Sequence, residues 1–256
     1  MTNERRVLVH PDKASLASSV AARFITKMRD ILDAQPVAHV VLTGGSMGAA
    51  VLEAVAASPA RTSIDWSRVH FWWGDERWVP AGDEDRNDAQ SQAALLDDLD
   101  LPSENVHPFP ASDSGLSLDE AAREYAADLE EHGVEGQPHP IFDITFLGVG
   151  PDGHIASLFP HRSGIQVTDR TVIAVRESPK PPPERLSLTR PVINASQRVW
   201  LVLAGADKAS ALGLALAGAS RDEVPVAGIK GRRRTVFFVD ADAAAEVPAG
   251  LIERDY

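Results

Sequence analysis

The chain has 256 residues, a formal net charge of -12 at pH 7 and no cysteine. The length suits one large domain or two small ones, and the missing cysteines exclude a disulfide scaffold, a thiolate nucleophile and a cysteine-ligated metal site. The acidic balance argues against a nucleic-acid or anionic-membrane binder, because such proteins usually present a basic surface.

The predicted elements alternate between helices and buried strands. In chain order they are a helix at 14–34, a strand at 37–42, a helix at 49–57, a strand at 69–73, helices at 87–99 and 118–132, and strands at 141–147, 171–175, 198–203 and 235–239. The first helix carries Leu16, Val20, Phe24 and Met28 at four-residue spacing, which is the apolar stripe of an amphipathic helix. The alternation predicts one α/β domain, 1–256, with a mainly parallel sheet.

No segment has the pattern of a secretory signal or a membrane span. Residues 1–10 lack the apolar stretch of a signal peptide, and the mild apolar run 211–219 is about half the length of a bilayer span. We therefore expect a cytoplasmic protein with no nucleic-acid or membrane partner. The oligomeric state stays open, with a monomer preferred.

The first of four polar strand ends is the loop 43–46, with the sequence Thr-Gly-Gly-Ser. Ligands bind open α/β sheets at the carboxyl ends of their strands, and small residues there let an anion approach the start of a helix. A plain turn with Ser46 as the helix cap is the alternative. The loop lacks the lysine of a nucleotide-binding P-loop, which excludes that motif.

The second strand end continues into Gly74-Asp75-Glu76-Arg77, with tryptophans on both sides. The planar guanidinium of Arg77 suits a phosphate, because its fork can donate to two oxygens. The alternative is a solvated turn in which Arg77 pairs with a nearby carboxylate. Arg86 lies in a second polar cluster, 85–87, at the start of a predicted helix.

The third strand end, 148–153, fits the G-x-G-x-x-G pattern of dinucleotide-binding loops. We interpret the match as coincidental, because Asp152 would put a negative charge where a pyrophosphate should lie. What remains is Asp152 two residues before His154. A carboxylate there can orient an imidazole that acts as a base near neutral pH, and a structural histidine bonded to a backbone carbonyl is the alternative.

The fourth strand end is Gly205-Ala206-Asp207-Lys208. A lysine at the start of a helix opposes the helix dipole, which makes sense if Lys208 faces an anion. A mobile surface lysine is the alternative. Elsewhere, His154 and His161 have poor spacing for a shared metal, and no G-x-S-x-G nucleophile elbow is present.

Taken together, these loops resemble the 6-phosphogluconolactonase family, within the wider group of glucosamine-6-phosphate deaminase-like sugar-phosphate enzymes. The matching segments are 42–46, 73–77 with 85–87, 148–160, 178–182 with 185–189, and 205–208. The resemblance implies a three-layer α/β/α fold with a mainly parallel twisted sheet, similar to deaminases and ribose-5-phosphate isomerases. It also implies hydrolysis of 6-phospho-D-glucono-1,5-lactone to 6-phospho-D-gluconate in the oxidative pentose phosphate pathway, with no metal and no organic cofactor.

The same resemblance implies the roles of individual residues. It makes His154 the base that activates water, supported by Asp152 and assisted by Arg77. The implied substrate- and phosphate-binding residues are Gly44, Gly45, Ser46, Asp75, Arg77, Arg86, Arg185 and Lys208. Whether Lys180, Arg185 or Arg190 reaches the site stays open. A lactone is an activated ester, so a base and a site for the developing oxyanion suffice without a covalent nucleophile.

Two other functions compete with lactone hydrolysis. An isomerising deaminase of the same superfamily typically has a glutamate five residues after the histidine of the Asp-Gly-His triplet, and this chain has Phe159 there. The loss of that acid favours simple hydrolysis. A non-catalytic sugar-phosphate sensor usually accompanies a DNA-binding module, and no basic helix-turn-helix segment is visible.

Overall fold

A computed structural model describes residues 4–252 and confirms the predicted three-layer α/β/α fold. The strands are β1 Glu4–His10, β2 Ala38–Leu42, β3 Val69–Trp73, β4 Asp75–Arg77, β5 Val106–His107, β6 Ile144–Leu147, β7 Val172–Val175, β8 Arg185–Leu188, β9 Arg198–Leu203 and β10 Arg234–Asp240. The α-helices are α1 Lys13–Ala34, α2 Gly45–Ala57, α3 Asn87–Ala94, α4 Leu118–Glu131, α5 Arg190–Ala195 and α6 Ala209–Leu216.

A seven-stranded sheet forms the centre of the described region. Its strand order is β1-β10-β9-β6-β2-β3-β5, and all neighbours are parallel. Parallel sheets are usually covered on both faces, so their strands are apolar throughout. The central strand β6 follows this rule, since all four of its residues are buried. The carboxyl ends of β2, β6 and β9 therefore meet at one edge.

The two faces of this sheet receive different helices because successive strand residues point to opposite sides. Phe71 lies on the face of α1, where Phe24 and Trp66 pack in one aromatic group. Trp72 lies on the other face, edge-on to Tyr125 of α4 at 6.1 Å between ring centroids. The predicted apolar stripe of α1 is confirmed, since all four of its residues are completely buried.

A second, three-stranded antiparallel sheet has the order β4-β8-β7. The segment 171–175 was expected to join the main sheet, and this expectation is wrong, because β7 pairs only with β8 among the named strands. The small sheet follows directly from the large one, since Gly74 alone separates β3 from β4. It places β4 and β8 beside the carboxyl edge of the large sheet.

Other boundaries differ from the sequence expectations for local reasons. The helix expected at 87–99 ends at Ala94, because Leu95 leaves the helical conformation with φ -154° and ψ -46°. Strand β1 was missed because it is an edge strand in which charged Arg5 and Arg6 precede a run of only three apolar residues, 7–9. In the described part of the chain, no helix is long and apolar enough to cross a membrane.

A histidine cluster, His39, His70, His107 and His132, lies on the Trp72 face near the amino edge of the large sheet. His39 and His70 are register partners on β2 and β3, with ring centroids 4.9 Å apart. Burial lowers the pKa of His39 to about 3 and that of His70 to about 4, and neighbouring imidazoles add to both shifts. Both rings are therefore neutral at pH 7.

Candidate active site

A cleft of about 320 Å³ opens at the carboxyl edge of the large sheet. Its walls come from the loops after β2, β6 and β9 together with the small sheet and the segment before β8. The lining residues are Thr43, Gly44, Gly45, Ser46, Met47, Asp75, Arg77, Asn87, Gly148, Val149, Gly150, Pro151, His154, Ala156, Lys180, Pro181, Arg185, Val202, Leu203, Ala204 and Lys208. All the predicted site residues except Asp152 and Arg86 are in this set, and Asp152 contacts it through His154.

The predicted partnership between Asp152 and His154 exists as a direct hydrogen bond. His154 Nδ1 lies 2.5 Å from Asp152 Oδ1, and the imidazole side chain is 17% exposed. A carboxylate only accepts, so Nδ1 carries the proton and donates it. The lone pair is then on Nε2, which is the arrangement that a general base requires.

Lys180 joins this pair from the segment before β8. Its Nζ lies 3.6 Å from Asp152 Oδ1 and 3.4 Å from His154 Nδ1. Burial raises the pKa of Asp152, but the hydrogen bond and charge of His154, together with Lys180, outweigh it and hold that pKa well below its usual range. Asp152 is therefore ionised at any pH at which the protein would be assayed.

Gly150 explains the glycine pattern that resembled a dinucleotide-binding loop. A Cβ at this position would lie 2.0 Å from His154 Nδ1 and 2.5 Å from Asp152 Oδ1. No real Cβ contact is that short, so any larger residue displaces the imidazole or the carboxylate. The backbone closes the loop from Gly150 N–H to the carbonyl of His154 at 2.9 Å. The glycine therefore makes room for the His154–Asp152 pair.

Two arginines face each other at the other side of the cleft. Arg77 of β4 and Arg185 of β8 are register partners in the antiparallel ladder. Like charges directly across a ladder are destabilising unless an anion offsets them. Burial lowers the pKa of Arg185, and the charge of Arg77 lowers it further against the opposing effect of Asp75.

One buried donor of these two arginines has no hydrogen-bond partner. Arg185 is 5% exposed and donates to the carbonyls of Lys180, Pro181 and Pro182. Arg77 donates from one terminal nitrogen to the carbonyl of Asp85, while its buried Nε has no hydrogen-bond partner. An unpartnered guanidinium nitrogen in a polar cleft is suited to an anionic ligand.

The start of α2 forms the floor next to the arginines. The helix begins at Gly45 with Gly44 as its N-cap residue, so the alternative in which Ser46 caps the helix is wrong. A Cβ on Gly44 would lie 1.8 Å from Asn87 Oδ1, which requires glycine there. The first turn of a helix presents free N–H groups and a positive dipole end, both of which favour an anion.

Lys208 occupies the position predicted for it, at the N-cap of α6 and in the cleft wall. Its side chain is 20% exposed and its Nζ lies 2.8 Å from Asp207 Oδ2. The four cationic side chains of the cleft are Arg77, Lys180, Arg185 and Lys208. Four of the 25 lysines and arginines of this acidic protein thus meet at one concave site. Arg190 is not among the lining residues.

Arg86, which was predicted to bind substrate, is buried outside the cleft lining. Arg86 is 1% exposed, lies outside the cleft lining and forms two hydrogen bonds of 2.8 and 3.0 Å with Asp88. It also donates to the carbonyl of Phe109 at 2.7 Å and lies 3.9 Å from Glu76. Every direction of its guanidinium is thus used inside the fold, and Arg86 supports the loop behind the cleft.

Glu76 is the centre of that buried network. It is completely buried, and its oxygens accept from the backbone N–H groups of Arg77, Asn87 and Asp88 at 2.7–2.9 Å. Burial raises the pKa of Glu76, and the charge of Arg86 and these N–H groups oppose the rise. Because Asn87 and Asp88 open α3, Glu76 caps this helix and ties it to β4.

Asp75, which was predicted to bind substrate, lines the cleft. Both of its carboxylate oxygens already accept hydrogen bonds within the protein. Ser157 Oγ donates to Asp75 Oδ2 at 2.7 Å, and Asn87 Nδ2 donates to Asp75 Oδ1 at 3.3 Å. Asn87 also lines the cleft, and its buried Oδ1 has no hydrogen-bond partner. The sequence analysis missed Asn87 as a site residue, although the cluster 85–87 at a helix start was the available signal.

Phe159, at the position where a glutamate was expected in a deaminase, packs directly on His154. Its ring centroid lies 4.7 Å from that of His154, and it is 2% exposed. The guanidinium carbon of Arg185 lies 5.9 Å from the centre of the same ring. An apolar ring therefore lies beside the imidazole of His154.

Comparison with known proteins identifies one family and relatives that share one name. The chain matches the family described as glucosamine-6-phosphate isomerases/6-phosphogluconolactonase over residues 11–238. The 6-phosphogluconolactonase of Streptomyces coelicolor is 48% identical over 256 residues, which cover 98% of both chains. That of Mycobacterium tuberculosis is 44% identical over 243 residues, 94% of this chain and 98% of the relative.

Solved structures show the same fold. The 6-phosphogluconolactonase of Thermotoga maritima superimposes with a TM-score of 0.81 at 28% identity, covering 93% of this chain and 100% of that one. A monomeric glucosamine-6-phosphate deaminase gives a TM-score of 0.76 at 19% identity, covering 94% and 99%. The likeness to the deaminase concerns the fold alone.

Proposed function

Because the chain belongs to the family of glucosamine-6-phosphate isomerases and 6-phosphogluconolactonases, we propose that its cleft hydrolyses 6-phospho-D-glucono-1,5-lactone with His154 as the general base. The reaction yields 6-phospho-D-gluconate in the oxidative pentose phosphate pathway, and it is the activity of relatives that cover almost the whole chain. The observation that carries the residue assignment is the His154–Asp152 hydrogen bond at the wall of a cationic cleft.

The chemistry needs one base and one place for negative charge. His154 Nε2 takes a proton from water as the water oxygen attacks the lactone carbonyl carbon. The tetrahedral intermediate then collapses, the bond from that carbon to the ring oxygen breaks, and the imidazolium returns its proton to the departing oxygen. Asp152 keeps the imidazole in the required tautomer and stabilises the imidazolium, a contribution typical of base-orienting carboxylates.

The phosphate is bound on the cationic side of the cleft in this proposal. The free Nε of Arg77, the side chain of Lys208 and the first turn of α2 offer the donors and the positive potential for it. Binding energy from a remote phosphate positions the ring, so that the carbonyl lies next to the base.

The test is direct. Purified protein is given freshly prepared lactone, and formation of 6-phosphogluconate is followed with spontaneous hydrolysis subtracted. Glucosamine 6-phosphate is supplied in parallel and ammonia release is measured. Lactone turnover without ammonia supports the proposal, ammonia release would establish the deaminase, and binding without turnover would establish a sensor.

Three further predictions accompany this function. We propose one domain over 1–256, supported by a single hydrophobic cluster that extends from Val7 to Val247. We also propose a cytoplasmic protein and a monomer, and both await measurement by cell fractionation and by sedimentation.

The proposed phosphate site predicts that substitutions there change KM more than kcat. Arg77→Ala and Lys208→Ala should each raise KM about 10-fold or more while changing kcat less, because a lost charge-assisted hydrogen bond costs about 1.5–3 kcal/mol. Steady-state kinetics on the lactone measure both constants. Lys230→Ala serves as the matched control, since Lys230 is exposed and absent from the cleft. An unchanged KM in either variant would remove that residue from the phosphate site.

The packing of Gly150 predicts a strong effect from a single methyl group. Gly150→Ala should lower kcat about 10²-fold, because the new Cβ displaces His154 or Asp152 and misplacement by about 1 Å costs that much. The matched control is Gly250→Ala, whose Cβ meets nothing within 4 Å. Kinetics and far-UV circular dichroism of both variants distinguish a misplaced base from a misfolded chain. Wild-type kcat in Gly150→Ala would contradict the packing argument.

A further inference from the structure

Three members of the histidine cluster hold their ring nitrogens close together. His70 comes from β3, His107 from β5 and His132 follows α4. One ligand nitrogen from each lies within 4.8 Å of the other two, and within the described part of the chain no other group of three or more such residues comes this close. Three imidazoles from separate elements are a common ligand set for a divalent transition metal.

One ring nitrogen of His70 and one of His107 are almost as far apart as two ligand atoms on one metal ion. His70 Nδ1 lies 2.9 Å from His107 Nε2. Two nitrogens at about 2.05 Å from a tetrahedral zinc ion are about 3.3 Å apart, so the pair has to open by about 0.4 Å. In the metal-free protein, one nitrogen donates its proton to the other. An ion would replace that proton.

Asp128 of α4 supplies the outer partner that metal-binding histidines usually have. Its carboxylate oxygens lie 3.0 and 3.1 Å from His107 Nδ1, which leaves His107 Nε2 available for the ion. A carboxylate behind a ligating imidazole fixes the ring and raises its basicity. His132 Nδ1 also lies 3.4 Å from Asp128, so the same carboxylate faces two of the three rings.

The surroundings hold one ligand firmly and leave the others accessible. His107 is 6% exposed and stacks on Trp72 with ring centroids 3.7 Å apart and planes 1° apart. The side chain of His132 is 28% exposed, so an ion and a fourth ligand from water can enter from solvent. His39 is less available, because its Nδ1 faces the indole N–H of Trp72 at 3.2 Å.

We propose that His70, His107 and His132 bind one zinc-class divalent ion, with Asp128 as the outer partner of His107. Nitrogen ligands exclude magnesium and calcium, which take oxygen. His70 precedes Trp73, the last residue of β3, by three positions, so the site is about 10 Å from the cleft edge of the sheet. The ion would tie β3, β5 and α4 together. The ion has no part in the proposed lactone hydrolysis. If the protein bound no zinc, the proposed hydrolysis would be unaffected.

The test uses the whole protein after treatment with EDTA and removal of the chelator. Calorimetric titration with zinc should show one equivalent bound, and thermal unfolding at about 100 times Kd should rise by about 5–10 °C. Cobalt should give the visible absorption of a tetrahedral nitrogen-ligated ion. Magnesium should do neither. Lactone turnover should be the same with and without zinc at a temperature well below unfolding.

Variants locate the ion. His70→Gln and His132→Gln should abolish both the zinc-induced shift and the cobalt spectrum, and Asp128→Asn should weaken zinc binding about 10–100-fold. His161→Gln should bind zinc normally, since His161 is 69% exposed and pairs only with Asp222 among the described groups. Far-UV circular dichroism of each metal-free variant checks its fold, and Asp128→Asn keeps the test decisive if a histidine variant unfolds. Absence of zinc binding, or binding lost in His154→Gln instead of His132→Gln, would overturn the proposal.

Discussion

His154→Ala should lower kcat for lactone hydrolysis about 10²–10⁴-fold with little change in stability. The imidazole is the group with a free basic nitrogen next to the cleft, and its Nδ1 is already bound to Asp152. Alanine leaves the phosphate donors in place, so KM should change far less than kcat. Residual turnover should come from substrate positioning and cationic potential. Initial rates on fresh lactone, corrected for spontaneous hydrolysis, measure the effect.

His161→Ala is the control for this experiment. His161 also pairs with an aspartate, Asp222 at 3.3 Å, but it is 69% exposed and lies outside the cleft. It should retain the wild-type rate. A His154→Ala protein that is folded and turns over lactone at the wild-type rate would show that another group activates water.

Glu76→Ala should lower the free energy of unfolding by about 3–5 kcal/mol, although Glu76 itself does not line the cleft. The change leaves three backbone N–H groups without their acceptor and Arg86 without one neighbouring carboxyl group. It also removes the acceptor that caps the first N–H groups of α3. Urea unfolding followed by circular dichroism gives the free energy, and the melting temperature should fall by about 10 °C or more.

Glu84→Ala is the matched control, because Glu84 is an exposed acid in the loop between β4 and α3. Its removal should change the free energy of unfolding by about 0.5 kcal/mol or less. If Glu76→Ala were as stable as Glu84→Ala, the buried carboxylate would have no net stabilising role and the network around Arg86 would need another explanation.

Much of the site was predictable because parallel strands end at the same edge of a sheet. The loops after β2, β6 and β9 each carry polar residues directly after a buried run, and the fold brings them into one cleft. Asp152 and His154 are two residues apart, so their contact needs only a tight turn. A contact between two residues this close in the chain can be predicted from the sequence alone.

Contacts across long sequence separations were not predictable in the same way. Arg86 and Arg77 have the same charge and lie in the same segment, yet one is buried against Asp88 and the other reaches the cleft. Lys180 reaches Asp152 only because the small sheet folds beside the large one. The histidine cluster depends on β3, β5 and α4 meeting, and no spacing in the sequence reveals it.

The cleft has walls from two separate sheets, so the contact between these sheets determines its shape. Arg77 and Arg185 belong to the small sheet, while His154 lies in the loop that follows β6 of the large sheet. The join between the sheets is short, with Leu188 N–H 2.9 Å from the Gly74 carbonyl and Ser157 Oγ 2.7 Å from Asp75. That join fixes the spacing between Arg77 and the loop of His154. Under the proposed function, we therefore expect a sugar-phosphate lactone with one carbon fewer between phosphate and carbonyl to be turned over more slowly.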